Sequence, residues 1–169
     1  MKESKNQLSS FINKSVVKIA GAIHGKSRIN YFKKAPKAFE IVMDMERYVR
    51  KIDFEPKFKE LIKLLASKIN GCKYCIDLHT KGAIKHKANE EELKQLLHWR
   101  DTDIFTSKEK IAFELTEHLT LVSEHGVPDE LYTRVREHFN EEEYVNLVLI
   151  INQINTWNRI SIAMGNEIK

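Results

Sequence analysis

The sequence is short of the residues that build turn-rich or cross-linked proteins. Its 169 residues include only two cysteines, three prolines and six glycines. Scarce glycine and proline disfavour a β architecture with many turns and favour long helices. Two cysteines, set close together, are too few for the disulfide framework of a small secreted protein. The chain also lacks a run of 18 apolar residues, so the sequence predicts no membrane-spanning helix and no membrane partner.

Two further absences bear on compartment and partners. The N-terminus has no apolar segment followed by a small-residue cleavage site, so we expect no secretory signal and a cytoplasmic location. The formal net charge of +4 is unevenly spread, with +7 in residues 1–34 and −3 in residues 35–169. Because most of the chain is mildly acidic, the composition argues against nucleic acid as a partner.

The basic charge lies in a separate N-terminal segment. Residues 6–24 form an amphipathic helical pattern with lysines on one side, so we divide the chain into an arm, 1–30, and a helical domain, 31–169. Such an arm can lie on a membrane surface. We favour the alternative, in which it packs on its own domain or on a neighbouring subunit.

The remaining pattern predicts an all-α fold. Prolines stand at helix starts, and three capping boxes, in which a polar side chain and a Glu three residues later bind each other's backbone, mark further starts. No segment alternates apolar and polar residues for long enough to be a strand. The predicted helices are 6–24, 36–52, 56–69, 72–87, 90–99, 107–125, 128–139 and 141–164. The last is apolar on most of its circumference, which predicts a buried central helix whose polar side chains need partners: Asn152, Asn155 and Asn158.

The two cysteines form a CxxC motif, Cys72-Lys73-Tyr74-Cys75, directly after the helix-breaking pair Asn70-Gly71. At 100° per residue, Cys72, Cys75 and His79 share one face of the helix that begins there. The unpaired N–H groups and the dipole of a helix start favour a thiolate, and a nearby imidazole can take or return a proton. These features favour thiol redox chemistry.

Two other interpretations of the CxxC motif stay open on the residues alone. In a zinc site, Cys72, Cys75 and His79 would be three ligands, with His86 or a carboxylate as the fourth. In the other interpretation, the two cysteines are inert buried residues without a chemical role. A thioredoxin fold is disfavoured because it needs strands around the motif.

The spacing of four residues resembles the signature of the alkylhydroperoxidase AhpD-like group within the carboxymuconolactone decarboxylase family. That signature is a Glu, a CxxC beginning twelve positions later, and a His four positions after the second Cys. Glu60, Cys72, Cys75 and His79 match it. The resemblance runs from about 31 to 165 and includes four further stretches: Tyr31-Phe32-Lys33, Trp99-Arg100, Gly126-Val127-Pro128 and Asn155-x-Trp157-Asn158-Arg159.

The resemblance implies an all-α protein that assembles into trimers or hexamers and uses neither a metal nor an organic cofactor. It implies a peroxidase in antioxidant defence, or a disulfide reductase, with a dihydrolipoyl-bearing or other thiol protein as reductant. Carried over, Cys75 attacks the hydroperoxide, Cys72 resolves the sulfenic acid to a disulfide, and Glu60 with His79 relays protons. The family's decarboxylase branch lacks the CxxC, so the motif argues against a lactone-decarboxylating lyase.

Three points of the sequence stand apart from that resemblance. Tyr74 occupies a position where some studied members have a His in the relay, which predicts a shorter relay and lower peroxidase activity. A helix dipole lowers the pKa of a thiol at position 72 at least as much as at position 75, so the order of attack rests on the resemblance. Periodicity alone puts Glu60 opposite the apolar face of its helix, as a solvated surface residue.

Overall fold

The computed structural model describes residues 26–168, and every regular element in that range is helical. In chain order the helices are α1 (Tyr31–Lys34), α2 (Pro36–Lys51), α3 (Pro56–Ile69), α4 (Lys73–Lys85), α5 (Glu90–Gln95), a 3-10 helix (Leu96–Asp101), α6 (Ser107–Thr120), α7 (Val122–His125), α8 (Asp129–Arg136) and α9 (Glu141–Met164). The expected all-α fold is confirmed. The predicted helix 6–24 lies outside the described residues.

The local signals place most helix starts correctly. All three predicted capping boxes form, at Asn89 with Glu92, Thr106 with Glu109, and Asn140 with Glu143. Pro36 and Pro56 each begin a helix, where a missing N–H costs no hydrogen bond.

Two predicted helices are each divided in two. The predicted helix 90–99 begins as α5 and continues as the 3-10 helix. The predicted helix 107–125 is interrupted at Leu121, whose φ of −104° and ψ of 43° separate α6 from α7. Neither break coincides with a Gly or Pro, so the sequence contains no strong signal for it.

Helix α3 lies at the centre of the fold. Every residue from Leu61 to Ser67 is buried, because α4, α6 and α9 all pack against this helix. The expectation that 141–164 is the buried central helix is therefore corrected. On α9, Val145 is 54% exposed and Ile162 is 48% exposed, so one side of that apolar helix faces away from the domain.

Within residues 26–168, none of the helices combines the length and the apolar composition that crossing a membrane requires.

Candidate functional site

The CxxC motif sits at the junction between α3 and α4. Asn70 ends α3, Gly71 adopts a φ of +68°, which favours glycine, and Cys72 is the N-cap residue of α4. The Cys72 N–H donates to the Ser67 carbonyl at 3.0 Å, which fixes the turn to the end of α3. The turn thus delivers both sulfurs to one end of α4, next to the buried C-terminal half of α3.

Cys72 and Cys75 form a disulfide, with their Cα atoms 5.3 Å apart. Both residues are almost fully buried, at 2% and 3% exposed. The Cys75 N–H donates to the Cys72 sulfur at 3.3 Å, so this sulfur also caps the first turn of α4. The structure therefore brings the two predicted thiols into bonding distance at a helix N-terminus.

His79 lies one turn after Cys75 and contacts Glu60 across the α3–α4 interface. Its Nδ1 is 2.8 Å from Glu60 Oε2. Burial raises the pKa of Glu60, but the hydrogen bond and charge of His79, with the charges of Lys63 and His86, outweigh burial and lower the pKa below its usual value. An ionised carboxylate only accepts, so Nδ1–H donates and His79 Nε2 is left to exchange a proton.

The expectation of a solvated Glu60 is wrong. Helix α4 covers that side of α3, and the Glu60 side chain is only 21% exposed. The close approach depends on Gly82, because a Cβ placed there would lie 2.8 Å from Glu60 Cδ. Periodicity missed this contact because it registers only apolar neighbours, whereas a glycine inside a helical pattern is a recognisable signal of close approach.

A polar network supports the turn from the side of α9. Asn155 accepts from Asn70 at 2.9 Å and donates to Thr120 at 3.1 Å. The Ser67 hydroxyl donates to Asn158 at 3.0 Å. Asn155 thus has the partners that it was expected to need, and Asn158 has one on Oδ1, although its buried Nδ2 has none. Asn152 is exposed and needs none from the protein. Sequence reasoning did not single out Ser67 or Thr120, for which no local signal exists.

Tyr74 lies on α4 between the cysteines. Burial, followed by the nearby Tyr31 and Asp77, raises the pKa of Tyr74 to about 12. Its hydroxyl thus stays protonated at neutral pH and does not serve as a base.

The zinc hypothesis finds no ligand set in the described part of the chain. No group of three or more His, Cys, Asp or Glu side chains converges as metal ligands among residues 26–168. The two sulfurs are bonded to each other, and His79 Nδ1 is bonded to Glu60. These three atoms are therefore not arranged around a common metal position.

Comparisons with known proteins agree with the signature. Residues 36–118 match the sequence profile of the carboxymuconolactone decarboxylase family. The uncharacterized protein YdfG of Bacillus subtilis is 52% identical over 140 residues, which cover 83% of this chain and 95% of YdfG.

Solved structures share the fold. A protein of unknown function from Agrobacterium tumefaciens, for which an AhpD antioxidant defence role has been suggested, superimposes with a TM-score of 0.81 at 38% identity, over 85% of this chain and 99% of that one. The debrominase Bmp8 superimposes with a TM-score of 0.71 over 83% of this chain and 75% of Bmp8. At 17% identity, this similarity shows only that the two proteins share a fold. With its sequence match to YdfG and its CxxC–His–Glu constellation, the chain belongs to the carboxymuconolactone decarboxylase family, among its AhpD-like members.

Proposed function

We propose that the protein is a thiol peroxidase that reduces hydroperoxides through a Cys72/Cys75 disulfide cycle. One observation carries the proposal. The two sulfurs are bonded to each other at the start of α4, one turn before a histidine whose Nδ1 is held by a half-buried carboxylate. A nucleophile, a resolving thiol and an oriented acid–base group are the parts that such a cycle needs.

The steps follow from those parts. The Cys75 thiolate attacks the distal oxygen of the hydroperoxide, the O–O bond breaks, and the leaving alkoxide takes a proton from His79. Cys75 is then a sulfenic acid. The Cys72 thiol attacks the Cys75 sulfur, which forms the disulfide and releases water. A dithiol protein of the dihydrolipoyl type returns the disulfide to two thiols by thiol–disulfide exchange. In this scheme Glu60 stabilises the cationic form of His79 and fixes its orientation.

The proposal includes the expected setting of the enzyme. A reducing cytoplasm would keep the dithiol available, and a homo-oligomer, trimeric or hexameric, is expected from the family. The cycle requires no metal or organic cofactor, because the two thiols pass their electrons to the peroxide O–O bond and regain them from the sulfurs of the reductant.

A thiol titration tests the cycle. One equivalent of cumene hydroperoxide should remove two thiols per reduced chain, and dihydrolipoamide should restore both. Cys75→Ser should abolish hydroperoxide consumption. Full activity in that variant would refute the catalytic assignment.

The order of attack has its own test. In Cys72→Ser, the hydroperoxide should leave a sulfenic acid on Cys75 that reacts with dimedone and adds a single adduct by mass spectrometry. A dimedone adduct in Cys75→Ser, and none in Cys72→Ser, would instead make Cys72 the attacking residue.

One observation favours a second candidate, a protein or lipoyl disulfide reductase with little peroxidase activity. Tyr74 occupies the position at which some studied members have a His, and with a pKa of about 12 it cannot replace that base in the relay. Hydroperoxide reduction needs the relay to protonate the leaving alkoxide. Thiol–disulfide exchange depends less on the relay, because its leaving group is a thiolate. Faster oxidation of the reduced protein by lipoamide than by cumene hydroperoxide would favour this candidate.

A further inference from the structure

A cavity lies beside the proton relay, between α2, α3 and α4. It has a volume of about 570 Å³, and Glu60 and His79 are on its wall, whereas neither cysteine is. The cavity thus reaches the relay residues without touching the sulfurs in the disulfide state. Small organic molecules bind in cavities of this size.

Positive charge exceeds negative charge on the cavity wall. Four cationic side chains face two carboxylates, Glu46 and Glu60. Both carboxylates already accept hydrogen bonds, Glu46 from Trp157 at 3.2 Å and Glu60 from His79 at 2.8 Å. The four cationic side chains are Arg50, Lys59, Lys63 and Lys85.

Lys63 is the most buried of these cations. The residue is only 6% exposed, yet among residues 26–168 no carboxylate oxygen lies within 4.0 Å of its ammonium group, which makes no hydrogen bond to the protein. Lys59 differs, because its ammonium donates to the Ile52 carbonyl at 2.6 Å and to the Arg50 carbonyl at 3.2 Å. The ammonium group is not fully buried, so the little exposed surface of Lys63 includes its charge, which lines the cavity and can pair with an anion there.

The rest of the wall indicates the kind of anion. Pro56 and Leu78, both exposed, supply apolar surface around the charged groups. We propose that this cavity binds a small organic carboxylate, with its carboxylate on the Lys63 ammonium and its apolar part against these two side chains. Two sources share this chemistry: a hydroperoxide that itself carries a carboxylate, and a ligand that is not turned over. The first source rests on the proposed peroxidase function, and the second does not.

Binding is tested on the full-length oxidised protein, which needs no turnover. Isothermal titration calorimetry should detect hexanoate, whereas hexanamide, of the same size but neutral, should bind at least about tenfold more weakly. Lys63→Gln should weaken hexanoate binding by a similar factor, and Lys63→Arg should retain most of it. Lys81→Gln is the matched control, because Lys81 is on α4, outside the cavity, and pairs with Asp77 at 2.7 Å.

Three results would overturn the proposal: no hexanoate binding to the wild type, equal binding of hexanoate and hexanamide, or equal losses in Lys63→Gln and Lys81→Gln. The comparison of the two ligands on the wild type holds even where a Lys63 variant fails to fold.

Kinetic measurements then separate the two sources. The substrates are hexanoate and hexanamide that each carry a hydroperoxide group on the terminal carbon. If the hydroperoxide carries the carboxylate, Lys63→Gln should raise the KM for the hexanoate hydroperoxide and leave the KM for the hexanamide hydroperoxide unchanged. If the KM for the hexanoate hydroperoxide is the same in the wild type and in Lys63→Gln, while the wild type binds hexanoate, the site belongs to a separate ligand that is not turned over. Consumption of neither hydroperoxide by the wild type refutes the peroxidase proposal, whereas the calorimetry still decides the anion site.

Discussion

The absence of a side chain at position 82 lets the Glu60 carboxylate reach His79. Gly82 is on α4, opposite Glu60 on α3, and a methyl group there would overlap the carboxyl group. At the scale of single residues, this is the contact that makes the relay geometrically feasible. It also explains why a charged residue is tolerated on a face that another helix covers.

Gly82→Ala should therefore displace Glu60 and break its hydrogen bond to His79. We expect a loss of about 1–3 kcal/mol in the free energy of unfolding, since overfilling a packed interface costs this much. Peroxidase activity should fall at least about tenfold, as expected when an acid–base group loses its orientation. Urea denaturation and hydroperoxide consumption measure the two effects.

The control is the same substitution in a Glu60→Ala background. There the carboxyl group is gone, so Gly82→Ala should be neutral or stabilise the helix by about 0.5–1 kcal/mol. An equal cost in both backgrounds would show that Gly82 does not act through Glu60.

The identity of the candidate residues was predictable from the sequence, but their physical arrangement was not. The CxxC spacing and the histidine four positions on gave Cys72, Cys75 and His79 a shared helix face. Glu60 entered only through the family spacing, since its own periodicity indicated solvent. Lys63 carried no signal, because an isolated lysine on an amphipathic helix is ordinarily solvated.

At the scale of helices, Asn155 joins three of them. Its side chain contacts Asn70 at the end of α3 and Thr120 at the end of α6, and it also accepts from Arg159 on its own helix at 2.9 Å. Asn70 is next to the turn that carries Cys72. The network therefore links the position of the disulfide to the packing of α9.

Asn155→Ala should cost about 2–4 kcal/mol in the free energy of unfolding, because several buried hydrogen-bonding groups lose their partner together. Asn152→Ala, three residues earlier on the same helix but exposed, should change stability by less than about 0.5 kcal/mol. Thermal and urea unfolding of both variants measure the difference. Similar small effects in both would mean that the network does not stabilise the fold.

The helices themselves were largely predictable, because proline, capping boxes and apolar periodicity act within a few residues. Starts at Pro36, Pro56 and Glu141 agree with the structure. The breaks at Leu96 and Leu121 were not predictable, since the packing of neighbouring helices decides them and no residue type marks them. The central role of α3 was also hidden, because a helix with six charged or polar residues does not look buried. They are Lys57, Lys59, Glu60, Lys63, Ser67 and Lys68.

At the scale of the whole molecule, large apolar side chains lie on the surface of the single chain. Ile41 is 71% exposed, Ile84 is 56% exposed and Tyr48 is 55% exposed. Exposed apolar side chains of this size favour contacts with further copies of the chain. They support the expectation of an oligomer without identifying its symmetry.

Light scattering should give the mass of three or six chains, and a monomer would contradict the expected assembly. The role of the basic arm is tested by deleting residues 2–25. The deletion should stop there because Arg28 N–H donates to the Met164 carbonyl at 2.8 Å, and its guanidinium donates to the Ala163 carbonyl at 3.1 Å. An unchanged mass after deletion would exclude an essential role of the arm in assembly.

The capping sulfur of Cys72 has a consequence for the whole redox cycle. The Cys75 amide donates to that sulfur, so every change in its bonding is also a change in how α4 begins. A thiolate accepts a hydrogen bond more strongly than a disulfide sulfur does, because it carries a full negative charge. Reduction that leaves Cys72 as a thiolate should thus tighten the first helical turn and protect the Cys75 amide proton from exchange with solvent. Amide exchange of α4 should then report the redox state without any probe attached to the sulfurs.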